Sequence, residues 1–400
     1  MRIVVTGLGL ITATGTNVAE CWRSLVEGIE GVREITSFDT SKYKLKRACE
    51  VPRIEKPVPI ATDPKIDSVG KLAYLAAQEA IADSGIFARE FYKPERIGLS
   101  VGTLGEVSLM EEALRRTGGD VPMAFDNNLI NAFSLNLIIG ALADQFGTFG
   151  SVSTHLNGCS SGTHAVAYGF DLIRDDVVDA MIIGGADTVA QIVFTNFHNL
   201  KNLAPEHCQP FDLNRKGLML GGGAGFLILE REDLARKRGA KIYCEMNGYG
   251  WSCDGYHLTS PHPDGEGGAR AMQNALDNSK LSYKDIDYVN PHGTGTLLND
   301  SAETRAVKTI FRERAYDVPV SSTKSMIGHP MGAASAIESV IACLTVHHNI
   351  VPPTINLETP DPDCDLDYVP NQYRELPVRY AMNNSFSFGG NNVVIIFGKF

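Results

Sequence analysis

Short β-branched segments alternate with helical ones along all 400 residues, and they do so in two series. Strands interleaved with helices in this way predict an α/β architecture. The first series opens with a strand at Arg2–Thr6, closed by Gly7-Leu8-Gly9. Helices are predicted at Asn17–Glu27, Ser68–Ser84, Glu106–Arg116, Asn131–Asp144 and Ala165–Arg174, with strands at Arg96–Val101, Ala180–Gly185 and Phe226–Glu230. The charged helical stretch Arg231–Gly239 reads as a boundary. The second series opens as the first does, with a strand at Lys241–Met246 running into Asn247-Gly248-Tyr249-Gly250. Helices at Gly268–Asn278, Asp300–Phe311 and Ala333–His347 follow, with strands at Ile286–Val289, Val318–Ser321 and Val393–Phe397. Gly158-Cys159-Ser160-Ser161-Gly162 and Gly328-His329-Pro330-Met331-Gly332 echo each other 170 residues apart, each ahead of a small-residue helix. The pattern predicts a duplicated unit, residues 1–238 and 239–400, with each copy offering a helix start to one site.

Reactive side chains stand among small residues in the loops. Cys159 precedes a helix, where the dipole and free N–H groups favour a thiolate and can hold an oxyanion. His292 lies in Pro-His-Gly-Thr-Gly-Thr, His329 follows Gly328, and a fourth loop reads Asn384-Ser385-Phe386-Ser387-Phe388-Gly389-Gly390. A lone cysteine or histidine most often fills a structural place. One cysteine with two histidines in glycine-rich loops points instead to nucleophilic thioester chemistry, with two groups to stabilise developing negative charge. Gly158–Gly162 also fits Gly-x-Ser-x-Gly, which would make Ser160 a hydrolase nucleophile served by Asp300 and His329.

Several classes are disfavoured. A net charge of −11 argues against general nucleic-acid binding. The eight cysteines form no C-x-x-C pair and no zinc-finger spacing, so neither a disulfide framework nor a structural zinc is expected. No apolar run is long enough to span a membrane, and Met1–Gly7 enters a strand without a signal-peptide pattern, so a cytoplasmic protein is expected. Gly7-Leu8-Gly9 lacks the third glycine of a dinucleotide fingerprint.

These blocks, with Val4–Gly9, Gly239–Tyr243, Tyr256–Pro261, His292–Thr296, Ser321–His329, Val351–Asn356, Cys364–Pro370 and Asn384–Gly390, make the chain resemble the β-ketoacyl-acyl-carrier-protein synthases nearly end to end. The similarity is to the elongating type II branch and the ketosynthase subunits of type II polyketide synthases. It implies a thiolase-like fold, duplicated α/β halves in a five-layered αβαβα arrangement. It implies decarboxylative Claisen condensation of an acyl group on Cys159 with malonyl-acyl-carrier protein, in fatty-acid or polyketide synthesis. His292 and His329 match the pair that promotes decarboxylation and stabilises the enolate. Lys324 matches a supporting lysine and Glu303 its acidic partner. Thr294 and Thr296 match residues that hold the phosphopantetheine arm, and Met110 one that lines the acyl pocket. Phe388 matches a gating residue whose N–H joins that of Cys159 in the oxyanion hole, with Phe386 on the same loop. The resemblance implies no metal or nucleotide cofactor, acyl-carrier protein as partner, and a homodimer or a heterodimer with a chain-length factor. A non-catalytic chain-length-determining subunit is the alternative.

The chain also departs from the family pattern. Lys216 stands where Asp is usual and Gly222 where Glu is usual, and Asn391 replaces a common Thr. The Leu203–Gln209 loop is shorter than usual. Of a usual basic cluster only Lys65 remains, with Lys71, Arg115, Arg116 and Lys201 as candidates to compensate.

Overall fold

Nine strands form a continuous sheet in the computed structural model, which describes residues 1–59, 69–88, 91–107, 111 and 135–400. They are β1 (Ile3–Thr12), β2 (Ile97–Gly102), β3 (Val152–His155), β4 (Ala180–Asp187), β5 (Gly223–Arg231), β6 (Cys244–Cys253), β7 (Tyr288–Asn290), β8 (Tyr380–Ser387) and β9 (Asn391–Gly398). Their order is β3-β2-β4-β5-β1-β6-β9-β8-β7.

The order repeats about the β1–β6 junction. In the first half β1 is antiparallel to β5, β5 antiparallel to β4, and β4, β2 and β3 are mutually parallel. In the second half β6 is antiparallel to β9, β9 to β8, and β8 is parallel to β7. Val320 extends this as a parallel bridge to Val289, where the sequence predicts a full strand. The halves meet where Ile3–Val5 pair with Cys244–Met246.

The helices complete five layers. Helix α1 (Val18–Val26) starts at Asn17, whose side chain accepts the Glu20 N–H. Helix α2 (Val69–Ser84), with α3 (Leu135–Phe146), covers the outer face of the first half-sheet. Helix α4 (Ser161–Arg174) and, beyond α5 (Gln191–Asn199) and α6 (Glu232–Arg238), the later α9 (Ala334–His348) lie between the half-sheets. Helices α7 (Glu266–Ser279) and α8 (Leu297–Phe311) cover the outer face of the second. In α9 (Ala334–His348) every residue from Ala334 to Val346 is buried, as a central layer requires.

Two predicted turns are not turns. The strands β1 and β6 continue through Gly7–Gly9 and Gly248–Gly250, with a register shift against β5 between Val5 and Gly7. A Cβ at Gly9 would lie 1.9 Å from the Ala76 carbonyl oxygen of α2, and one at Gly250 would lie 2.2 Å from Ala275 N of α7. These glycines let an outer helix press against each half-sheet, which is a packing role rather than phosphate binding. The predicted helix at Glu106–Arg116, including Met110, falls almost wholly outside the described residues, as do Lys65, Arg115 and Arg116. The Asn384–Ser387 stretch, read from sequence as loop, is the end of strand β8.

Candidate active site

Helices α4 and α9 bring their starts together between the half-sheets. Thr163 N at the head of α4 donates to Ser335 Oγ of α9 at 2.9 Å. Ser335 Oγ and Ser385 Oγ both lie 3.2 Å from the Cys159 carbonyl oxygen and donate to it. Cys159, two residues ahead of α4 in the first half, is thereby fixed by two serines of the second half. On the other side, His329 N donates to Met219 O at 2.7 Å, and Gly221 N donates to His329 O at 3.0 Å. Asp187 at the end of β4 accepts from Thr103 Oγ1, Leu104 N and Ala333 N, which holds the turn following His329.

This framing puts His329 Nε2 3.0 Å from Cys159 Sγ. The His292 ring stands edge-on to His329, with centroids 5.2 Å apart at 82°. Among the described residues neither histidine Nδ1 has a hydrogen-bond partner. A buried N–H without an acceptor is costly, so the favoured neutral tautomer carries hydrogen on Nε2, facing the cavity. Burial, and secondly the Lys324 charge, hold both imidazoles well below the usual histidine range. They are neutral donors at neutral pH.

Cys159 does not rest as a thiolate. Burial pushes its thiol up to about 11, and the Lys324 charge only partly offsets that. The helix start expected to favour the anion is outweighed by desolvation.

The acidic partner of Lys324 is Glu338, not Glu303 as the resemblance implies. Lys324 Nζ and Glu338 Oε1 are in direct contact, with both side chains buried. Glu303 is already engaged: its oxygens accept from His292 N and Gly293 N at 2.8 Å each, and from Asn384 Nδ2 at 3.1 Å. Its carboxylate shapes the loop that carries His292. Glu338 is the residue that sequence reasoning missed, although a single acid inside an apolar helix signals a buried partner.

Seven predicted residues, Cys159, His292, His329, Thr294, Thr296, Phe386 and Phe388, line one cavity of about 360 Å³. Thr294 Oγ1 and Thr296 Oγ1 lie 3.0 Å apart along it. Phe386 packs beside His292, with centroids 6.3 Å apart, and the half-exposed Phe388 ring packs on Phe197. Lys201 and Lys216 stand at the mouth. Ser160, by contrast, is fully buried and its hydroxyl donates to Asn157 O at 3.0 Å. Asp300, its supposed acid, accepts from Phe211 N and Gly295 N instead. The hydrolase constellation is not assembled.

The ligand atoms of Cys159, His292 and His329 lie within 4.8 Å of one another, a donor set soft enough for zinc. Among the described residues, no acceptor of the kind that orients metal-bound imidazoles stands at either Nδ1 atom.

Residues 1–235 match the family model described as "Beta-ketoacyl synthase, N-terminal domain", and residues 243–358 match "Beta-ketoacyl synthase, C-terminal domain". The chain is 36% identical over 409 positions to the 3-oxoacyl-[acyl-carrier-protein] synthase 2 of Staphylococcus aureus (strain MRSA252), covering 100% of this chain and 99% of that one. It is 39% identical to the protein of the same name from Synechocystis sp., covering 100% and 98%. Among solved structures, the ishigamide ketosynthase/chain length factor superposes with a TM-score of 0.92 at 36% identity, covering 100% of this chain and 99% of that one. A type II polyketide ketosynthase bound to its acyl-carrier protein superposes equally well, at 32% identity with coverage of 100% and 99%. With family models matching both halves and relatives alike from end to end, the chain belongs to the beta-ketoacyl synthase family.

Proposed function

We propose that the protein is a condensing enzyme that lengthens an acyl chain held on Cys159, using malonyl-acyl-carrier protein, to give 3-oxoacyl-acyl-carrier protein. The observation that carries this is the 3.0 Å contact of His329 Nε2 with Cys159 Sγ, with His292 edge-on beside it. The thiol takes the acyl group from a carrier-protein thioester and releases the carrier thiol. Malonyl-carrier protein then enters. Two neutral imidazole N–H groups facing its thioester oxygen stabilise the enolate left when the carboxylate departs as carbon dioxide. The enolate carbon attacks the acyl-enzyme carbonyl, the new C–C bond forms, and Cys159 leaves as a thiolate. The sequence of steps needs no metal or nucleotide.

Access fits a substrate carried on a phosphopantetheine arm. Thr294 and Thr296 offer hydroxyls to its amides, and Lys201 and Lys216 at the mouth are placed to meet its phosphate. The exposed Leu297 and Leu298 give the rim apolar surface for a carrier protein. A second subunit, either another copy or a chain-length factor, would meet β3, the edge strand of the sheet among the described residues, beside the exposed Phe149 and Leu156. A non-catalytic chain-length subunit needs no such cysteine and histidine pair, so their assembly favours the catalytic reading. The eight cysteines are all free thiols, in keeping with work in the reducing cytoplasm, and among the described residues no helix is long and apolar enough to cross a membrane.

The test is transfer of a radiolabelled acyl group from acyl-carrier protein. Cys159→Ala should take no label, and undiminished labelling of that variant would sink the assignment. Weighing the products formed with malonyl-carrier protein then fixes chain length and pathway.

A further inference from the structure

The Cys159 N–H is the donor that a bound thioester carbonyl would meet first, and in the free protein it is taken. Ser387, the last residue of β8, is only 9% exposed and places its Oγ 2.9 Å from Cys159 N, accepting that hydrogen. Its own hydrogen goes to Asn157 O, also at 2.9 Å. The hydroxyl oxygen therefore stands at the distance from the donor expected of an oxyanion. The turn is built around it: Gly158 has φ +61°, and a Cβ there would lie 2.3 Å from Ser387 Oγ. The Cys159 carbonyl is held separately by Ser335 and Ser385, so the turn keeps its shape when Ser387 lets go.

We propose that Ser387 is a positioning residue whose hydroxyl occupies the oxyanion position at rest and must be displaced by the thioester carbonyl before Cys159 is acylated. This rests on the condensing-enzyme reading above. In that step the Cys159 sulfur adds to the carbonyl carbon, a C–S bond forms and the π pair moves onto oxygen. When the intermediate collapses, the carbonyl reforms and the bond to the pantetheine sulfur breaks. The proton lost by Cys159 ends on the pantetheine thiol. The developing oxyanion needs the Cys159 N–H, which Ser387 Oγ accepts. With its only hydrogen committed to Asn157, that oxygen brings a lone pair, not a donor, to the same place. At rest the arrangement keeps a buried amide paired. During acylation it competes.

Two rates separate this role from simple support of the fold. Acylation of Cys159 by octanoyl-carrier protein develops an oxyanion, whereas alkylation by iodoacetamide is a direct displacement that does not. Both are followed on the full chain by peptide mass spectrometry. In Ser387→Ala and Ser387→Gly the ratio of acylation to alkylation should rise about 3- to 10-fold, the value of one net hydrogen bond. A ratio unchanged or lowered in either variant overturns the inference, and a purely structural serine would lower both rates together. Wild-type protein that is acylated while the variants match it refutes this inference alone. Wild-type protein that takes no acyl group refutes the condensing reading, and this one with it.

Discussion

Lys324 and Glu338, 14 residues apart in the chain, form a buried ion pair, with the lysine side chain 0% and the glutamate side chain 1% exposed. Its charge lies close enough to Cys159, His292 and His329 to favour the thiolate and disfavour both imidazolium ions. Replacing Lys324 with Met alone strands a buried carboxylate, which should cost about 3–5 kcal/mol in denaturant unfolding. Adding Glu338→Gln should return most of that stability. In the double variant the histidines lose a neighbouring cation, so their pKa values rise. The acid limb of the pH–rate profile, expected below the ordinary histidine value of 6.5 in the wild type, should then move to higher pH. A limb that stays in place would show that the lysine acts on packing only.

The thiol of Cys159, raised to about 11 by burial, sets a second pH dependence. The reactive thiolate is the minor species at neutral pH, and its fraction grows about tenfold per pH unit below that value. Iodoacetamide alkylation at Cys159, followed by peptide mass spectrometry, should therefore climb steadily from pH 7 to 10. A plateau near neutrality would show instead a thiolate already formed by the helix start.

Sequence alone exposed the reactive centre because its signals are local. A cysteine and two histidines among glycines and threonines need turns wherever they occur, and the two glycine-rich helix starts announced each other. What escaped depends on partners far along the chain. Glu338 is 14 residues from Lys324 and sits in a helix whose other residues speak only of burial. Gly9 and Gly250 looked like turn glycines because nothing local reveals that α2 and α7 press on them. The strand β8 was hidden by its polar Asn384-Ser385, one donating to Glu303 and the other to the Cys159 carbonyl, which break the apolar pattern of a buried strand. The sheet order, with its repeat about β1 and β6, is likewise a long-range property.

Glu303 holds the His292 loop by accepting two backbone N–H groups and one from Asn384. Glu303→Ala removes the two oxygens that accept all three hydrogen bonds in a buried place and should destabilise the protein by about 1–3 kcal/mol or more. Glu303→Gln keeps one oxygen, so it should cost less. Malonyl decarboxylation should fall in the same order, since His292 is positioned through this loop. Equal stability of the two variants would show that the loop is held by other means.

Lys216 is exposed at the cavity mouth, with Lys201 nearby on the same rim. A phosphate there interacts with both, but in water, where screening is strong. Lys216→Glu should raise KM for carrier-borne substrates several-fold and leave kcat nearly unchanged. The difference from wild type should shrink in high salt. An unchanged KM would place the phosphate elsewhere on the rim.

Gly158 and Ser387 offer a test of the turn itself. Gly158→Ala carries two separate costs. An L-residue at φ +61° is disfavoured by about 1–2 kcal/mol. The new Cβ would also meet Ser387 Oγ at 2.3 Å, expelling the hydroxyl and breaking its bonds to Asn157 O and Cys159 N. Ser387→Gly removes the same two hydrogen bonds without touching the backbone strain. The second cost is therefore counted twice when the single variants are summed. Unfolding of the double variant should show a loss smaller than that sum by about 1 kcal/mol, a coupling well above the scatter for independent sites. Strict additivity would mean that the methyl added at Gly158 leaves the two Ser387 hydrogen bonds intact.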